Sequence, residues 1–218
     1  MQTQPLAPVT DLLRRIPLSA RVVLDVGCGR GDLGGAYRLM NPTARVLGIE
    51  ADPDAAAIAR TRLTEVAVAP ATIDPLPFDP PAEGIDAIIY SAVLPSVTDP
   101  FALLRRHADL LSEDGMMLIC VPNIEHWSFT ERLLRGNWDY ESSGLFDRSH
   151  LRWFAPAAMR RTRTPLATAR RSSSSSRGSS AGVRATISFP HRSVGTPSSS
   201  QSSYSRRAPV THSRALSD

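Results

Sequence analysis

A doubly wound parallel α/β sheet is the fold predicted for this 218-residue chain, on three observations. Over residues 1–160, short β-branched apolar runs alternate with stretches whose apolar residues recur at helical spacing. The strand-like runs are almost continuously apolar, as strands covered on both faces must be. A glycine-rich turn, Gly27-Cys28-Gly29-Arg30-Gly31, joins the first such run to the helix after it. Sheets of this kind bind ligands beyond the carboxyl ends of their strands. A site is therefore expected among the connections 27–31, 50–52, 73–77, 91–96 and 122–152.

The elements follow in order. Val9 to Ile16 is an amphipathic helix closed by Pro17. Arg21 to Val26 is a buried strand broken by Gly27. Asp32 to Met40 is helical and stops at Asn41-Pro42. Arg45 to Glu50 is the second strand. Asp52 and Pro53 then open a helix as N-cap and first helical residue, with Ala55, Ile58, Ala59 and Leu63 as its apolar face. Val66 to Val68 is a weak third strand and Ile85 to Tyr90 the fourth. Asp99-Pro100 repeats the cap, and Val97, Phe101, Leu104, Ala108 and Leu111 keep helical spacing. Asp114-Gly115 turns the chain into the strand Met116 to Val121. Helices are expected again at Ser128 to Leu134 and Pro156 to Arg161.

Composition divides the chain. Residues 1–159 carry 14 arginines against 20 acids, whereas residues 160–218 carry 11 arginines against one acid, Asp218. The net charge of +4 therefore belongs to the tail and says little about partners of the front domain. There is no lysine. No apolar run is long enough for a transmembrane helix, and the first ten residues lack the pattern of a signal peptide. Two cysteines, Cys28 and Cys120, make neither a disulfide framework nor a zinc site. A reducing, cytoplasmic setting with no membrane partner is the expectation, and no metal is expected.

The glycine turn allows a sharp bend and close approach to a ligand. The amides at the start of the following helix favour an anionic group. Gly29-Arg30-Gly31-Asp32-Leu33-Gly34 matches the dinucleotide fingerprint G-x-G-x-x-G literally, but two residues late. Counted from Gly27, the first residue past the strand, the third glycine position holds Asp32, and the match fails.

In that frame, Asp25-Val26-Gly27-Cys28-Gly29-Arg30-Gly31 resembles the first motif of class I S-adenosylmethionine (SAM)-dependent methyltransferases. The resemblance implies a Rossmann-like fold and SAM as cofactor. It implies that Asp25 meets the cofactor's amino group and that Gly27, Cys28, Gly29 and Gly31 line it. Glu50, the acid ending the second strand, would accept both ribose hydroxyls, for which a carboxylate has two oxygens; Ala51 follows it. Asp74, with Ile73, is similar to the family's acid and apolar pair that receive the adenine amino group and ring. Tyr90 and Ser91, at the end of the fourth strand, complete the implied cofactor contacts. Common relatives carry Glu-His after Val93-Leu94, where this chain has Pro95-Ser96, so a base borrowed from there is in doubt.

The ordered runs Pro122 to His126, Leu134 to Tyr140 and Gly144 to Phe154 are similar to one subgroup of that family. Its members often serve surface-sugar and small-metabolite modification, which implies a small-molecule or glycan acceptor. Methyl transfer needs a base only when the acceptor must lose a proton. His126 and His150 are the candidate catalytic bases, although His150 and Asp147 equally suit holding an irregular loop together. His107, mid-helix, is expected on the surface. Trp138, Tyr140, Trp153 and Phe154 are candidate pocket walls, with core packing expected for at least two.

From about Arg163 the periodicity stops. Residues 172–218 hold 17 serines and one short apolar run, Ala185 to Phe189, which reads as a low-complexity, disordered tail. The family's sheet ends with two more strands that nothing after Arg163 is expected to supply. The expected organisation is a methyltransferase domain over 1–162 and a Ser/Arg-rich tail over 163–218. A reading-frame shift near Thr162 would explain the break, and translating the gene's other two frames would test it. Two rival readings of function are a cofactor-binding remnant without turnover and a nucleic-acid binder acting through the arginine tail. The acidic front domain disfavours the second, and no specific nucleic-acid partner is expected.

Overall fold

The computed structural model describes residues 7–142, 144–159 and 184–188. Six strands form one parallel sheet in the order β3-β2-β1-β4-β5-β6. They are β1 (Val22–Val26), β2 (Arg45–Glu50), β3 (Glu65–Val68), β4 (Ile85–Ser91), β5 (Leu111–Cys120) and β6 (Arg184–Ser188). The helices are α1 (Ala7–Arg15), α2 (Asp32–Met40), α3 (Pro53–Ala59), α4 (Pro100–Ala108) and α5 (Trp127–Leu134).

The central strands β1, β2 and β4 are buried because side chains alternate between two covered faces. On one face Val23, Val46, Ala87, Ile89, Leu118 and Cys120 pack with Leu12 of α1 and Leu33 and Tyr37 of α2. On the other, Leu24, Leu47, Ile49, Ile88, Met117 and Ile119 pack with Leu103 and Leu104 of α4. Asp86 ties three elements at the far end of the sheet. Its carboxylate accepts the amides of Arg21 and Val22 at 2.8 and 3.0 Å and the hydroxyl of Ser112 at 3.0 Å.

Both Asp-Pro caps form. Asp52 accepts the Asp54 amide and Asp99 the Ala102 amide, each at 2.9 Å, with proline at the start of each helix. Three expectations need correction. α4 stops at Ala108, and Leu111 belongs to β5, so helical spacing ran past the helix into a buried strand that shares its core. β5 begins at Leu111 rather than Met116, with a register shift against β4 between Ile85 and Ala87 that accommodates the Asp114-Gly115 excursion. α3 buries Ala59 as expected, with Leu63 buried just beyond it, but adds Ala56, while Ala55 and Ile58 are only half-buried.

The tail also differs from expectation. Arg184–Ser188 pairs in parallel with β5, from Met116↔Arg184 to Cys120↔Ser188, and Ala185 is buried. This run is the tail's one β-branched apolar stretch, and it covers the edge that β5 would otherwise expose. The rest of the expected tail, and the last two residues of the helix expected over 156–161, lie outside the described residues; residues 156–159 are helical.

The segment after β5 is strapped across the end of β4. Leu151 and Arg152 donate their amides to the Pro95 carbonyl at 2.8 and 3.1 Å. The Arg152 guanidinium donates to the Thr98 carbonyl, and Ser149 and Ser96 share a hydroxyl hydrogen bond of 3.0 Å. The Pro95-Ser96 departure is thus the anchor for the 149–152 segment.

Candidate functional site

The site forms where β1, β2 and β4 end side by side. Past β1, the chain turns back through Gly27, Gly29 and Gly31, all at positive φ. The turn is held down from below, because the amides of Gly27 and Cys28 both donate to the Ile49 carbonyl, at 2.8 and 3.0 Å. Gly31 (φ +75°) is fixed by crowding as well as by backbone conformation. A Cβ there would lie 3.1 Å from Ala59 Cα and 3.2 Å from Leu63 Cγ. Gly31→Ala is expected to lower stability by about 1–3 kcal/mol, read as a drop in the urea midpoint. An unchanged midpoint would mean that α3 yields freely.

Gly29 differs, since nothing lies within 4 Å of where its Cβ would be. Its amide donates to Glu50 Oε2 at 2.7 Å, while Glu50 Oε1 accepts the Asp52 amide at 2.9 Å. One carboxylate therefore joins the loops after β1 and β2 beside an open cradle. Ala51 is exposed next to it.

Asp25 lies beneath this loop, 1% exposed. Its Oδ1 is buried without a hydrogen-bond partner among the described residues. Burial, and then the negative charge of Glu50, push its carboxyl up to about 7. A buried acid with an unanswered oxygen is costly unless a ligand supplies a donor. A cationic amine answers both the missing hydrogen bond and the charge. The residues present therefore fit SAM, with an acid for its ammonium, an open backbone cradle, and a pinned carboxylate at the second strand's tip.

Two implied contacts are reduced to backbone. Cys28 is buried, and a Cβ at Gly48 would lie 2.7 Å from its sulfur. Burial, then Asp25 and Glu50, push its thiol up to about 12. The Tyr90 side chain is fully buried, its hydroxyl 2.7 Å from His107 Nδ1. His107 is itself 1% exposed, not on the surface as expected. Burial and the Arg106 charge lower it to about 4. The Tyr90 hydroxyl provides the polar partner that lets an imidazole sit in this core. Ser91 is half-buried at the strand end, and Ala92 after it holds a left-handed φ of 61° while its amide donates to Cys120 O at 2.9 Å.

Ile73 packs partly buried against the core, and Asp74 stands exposed on the 72–77 turn. Arg106 of α4 reaches this turn, donating to the Thr72 carbonyl at 2.9 Å and lying 3.5 Å from Asp74 Oδ2. Sequence reasoning missed Arg106, because a polar residue on a helix reads as solvated.

The two candidate bases have structural employment. His126 caps α5, its Nδ1 2.8 Å from Ser128 Oγ and accepting the Ser128 amide at 3.4 Å. His150 is only 9% exposed, and its Nδ1 donates to the Leu145 carbonyl at 3.3 Å, which suits a loop-holding role. Of the candidate walls, Phe154 is core, whereas Trp138 packs edge-on against Phe146 and Trp153 and is 40% exposed; Tyr140 is exposed. No cluster among the described residues could hold a metal ion, and no helix among them is long and apolar enough to cross a membrane.

Comparison with known proteins bears on the family and the fold. A family model described as a methyltransferase domain matches residues 1–162. A trans-aconitate 2-methyltransferase of Methylobacterium nodulans is 36% identical over 130 residues, covering 59% of this chain and 48% of that protein. The Escherichia coli enzyme of the same name is 30% identical over 117 residues, covering 53% and 45%. The chain thus spans about half the length of the curated relatives it matches. Among solved structures, a SAM-dependent methyltransferase of Thermotoga maritima, described as a possible histamine N-methyltransferase, superposes with a TM-score of 0.57 at 20% identity, covering 74% of this chain and 70% of its own. The plantazolicin methyltransferase BpumL, solved with a triazolic desmethylPZN analogue and S-adenosylhomocysteine (SAH), gives 0.59 at 17% identity, covering 77% and 66%. These two likenesses concern the fold.

Proposed function

The chain belongs to the methyltransferase-domain family, that of the class I SAM-dependent methyltransferases, and from that premise we propose that it moves the methyl group of SAM to a small-molecule acceptor. The observation that carries the reading is the meeting of Glu50 with Gly29 above the buried Asp25, whose Oδ1 has no hydrogen-bond partner among the described residues. When bound, SAM supplies a methyl group already activated by its sulfonium. The chain's own work is then binding, alignment and exclusion of water. Asp25 holds the ammonium end. Glu50 accepts the ribose hydroxyls, Asp74 the adenine amino group, and Ile73 lies against the ring. The backbone at Cys28, Tyr90 and Ser91 borders the cofactor.

A carboxylate is the acceptor class that best suits the site, because it arrives deprotonated and needs no base. That agrees with a chain whose His126 and His150 are engaged in a helix cap and a loop, and whose Pro95-Ser96 anchors a strap. The trans-aconitate relatives are named for such an acceptor. A glycan hydroxyl is the second reading, and it makes a different demand on the histidines.

Calorimetry with SAH tests the cofactor site. Transfer from labelled SAM to a panel of di- and tricarboxylates and sugars tests the acceptor. With a carboxylate, His126→Gln and His150→Gln are expected to keep kcat within about threefold. A loss of about 100-fold or more in either would point to base catalysis and a hydroxyl acceptor. Cofactor binding without turnover on any acceptor would leave a binding remnant as the better description.

A further inference from the structure

We propose that Arg106 is a positioning residue that sets the cofactor site's preference for a 6-aminopurine by holding the turn that carries Asp74. The inference rests on the reading of Asp74 as the adenine-facing acid. Arg106 lies in the last turn of α4, outside the three strand ends that build the rest of the site. Its guanidinium grips the turn at two points, the Thr72 carbonyl at 2.9 Å and Asp74 Oδ2 at 3.5 Å. A planar fork donates to a carbonyl and a carboxylate from two nitrogens at fixed spacing, whereas an ammonium donates from one atom on a flexible stem.

The base of this arm is anchored. His107, the next residue, is buried and bonded to the Tyr90 hydroxyl at 2.7 Å, so the end of α4 is registered against β4. Ile73 and Leu76 pack the turn against the core, but the Asp74 side chain itself is 60% exposed, and Arg106 is the ion-pair partner that holds it. With Oδ2 turned to the arginine, the carboxylate presents its other oxygen to an incoming donor. An ionised carboxylate only accepts. It welcomes an exocyclic amine and opposes a 6-oxo group, acceptor against acceptor. Such discrimination requires a carboxylate held in one place, because a rotating one adapts to either ring.

The test compares SAH with S-inosylhomocysteine, which differs in carrying the 6-oxo purine, by calorimetry on the full chain. The wild type is expected to prefer SAH by about tenfold or more. In Arg106→Ala that preference should shrink to within about threefold, mostly through weaker SAH binding. Arg106→Lys should fall between the two, keeping the charge but not the fork. Because the pair is exposed, thermal midpoints should move little; if the alanine variant does not fold, the lysine variant carries the test. Equal loss of both ligands with the preference intact would reduce Arg106 to a loop prop and overturn the proposal. So would an unchanged preference. A wild type that shows no preference, with Asp74→Asn binding both ligands as it does, would instead sink the reading of Asp74.

Discussion

Asp25→Asn is expected to make the free protein more stable above neutral pH while weakening SAM binding by about 100- to 1000-fold. The folded state holds the Asp25 carboxyl protonated up to about 7 against an ordinary 3.8, because burial and Glu50 oppose its charge. The unfolded chain ionises it freely above 3.8. Stability is therefore lost as pH rises between those two values, by roughly 4 kcal/mol at about 1.4 kcal/mol per unit. Asparagine removes that penalty but leaves a buried amide to satisfy, at a cost of about 1–3 kcal/mol. A net gain of about 1–3 kcal/mol at pH 8 remains. The affinity loss follows from leaving the cofactor's ammonium buried without its counter-charge, about 3–4 kcal/mol.

The same substitution should uncover a second titration. His107 has the opposite sign, because burial lowers it from 6.5 to about 4. The unfolded state takes up its proton over that range and the folded state does not, so stability falls as pH drops through it. In the wild type the two groups oppose each other between about pH 4 and 6.5, and the urea midpoint should be nearly flat there. In Asp25→Asn the midpoint should climb with pH over that window. A variant profile parallel to the wild type's would show that Asp25 is not the compensating group. Wild-type affinity for the cofactor should rise about tenfold per pH unit up to about pH 7 and then level, since only ionised Asp25 receives the ammonium; the variant should lack that slope.

Glu50→Gln is expected to lower cofactor affinity by about 10- to 100-fold with little loss of stability. The two backbone amides that Glu50 accepts, from Gly29 and Asp52, border water and can be resolvated. The ribose hydroxyls lose charge-assisted hydrogen bonds worth about 1.5–3 kcal/mol. Comparing SAH with its 2′-deoxy analogue separates ribose recognition from loop support. If Glu50 reads the diol, the substitution and the missing hydroxyl should each weaken binding, and together cost less than their sum. Strict additivity would assign Glu50 to the loop alone. Removing its charge should also bring Asp25 down toward the ordinary range, shifting the stability profile to lower pH.

The sheet and its cofactor edge were legible because their causes are local. A run such as Val22 to Val26 admits little but a doubly covered strand. The glycine turn announces its own backbone, and the caps at Asp52 and Asp99 satisfy helix amides within three residues. The boundaries of α4 and β5 were less legible. Leu104, Ala108 and Leu111 enter one core whether the backbone between them is helical or extended.

The order Asp25, glycine turn, Glu50 was therefore written in the sequence by itself, and with it the fold and the family. Tertiary structure alone decided the states of those groups. Asp25 is strained in charge because the turn and Glu50 close over it. His107 is inside because α4 rotates it onto Tyr90, and helical spacing carries no sign of a partner 17 residues back. Arg106 reaches the Asp74 turn across 32 residues of chain, and the 184–188 segment finds β5 from inside a serine-rich tail. Contacts of that kind depend on which surfaces the finished sheet brings together, and no local pattern of residue types encodes them.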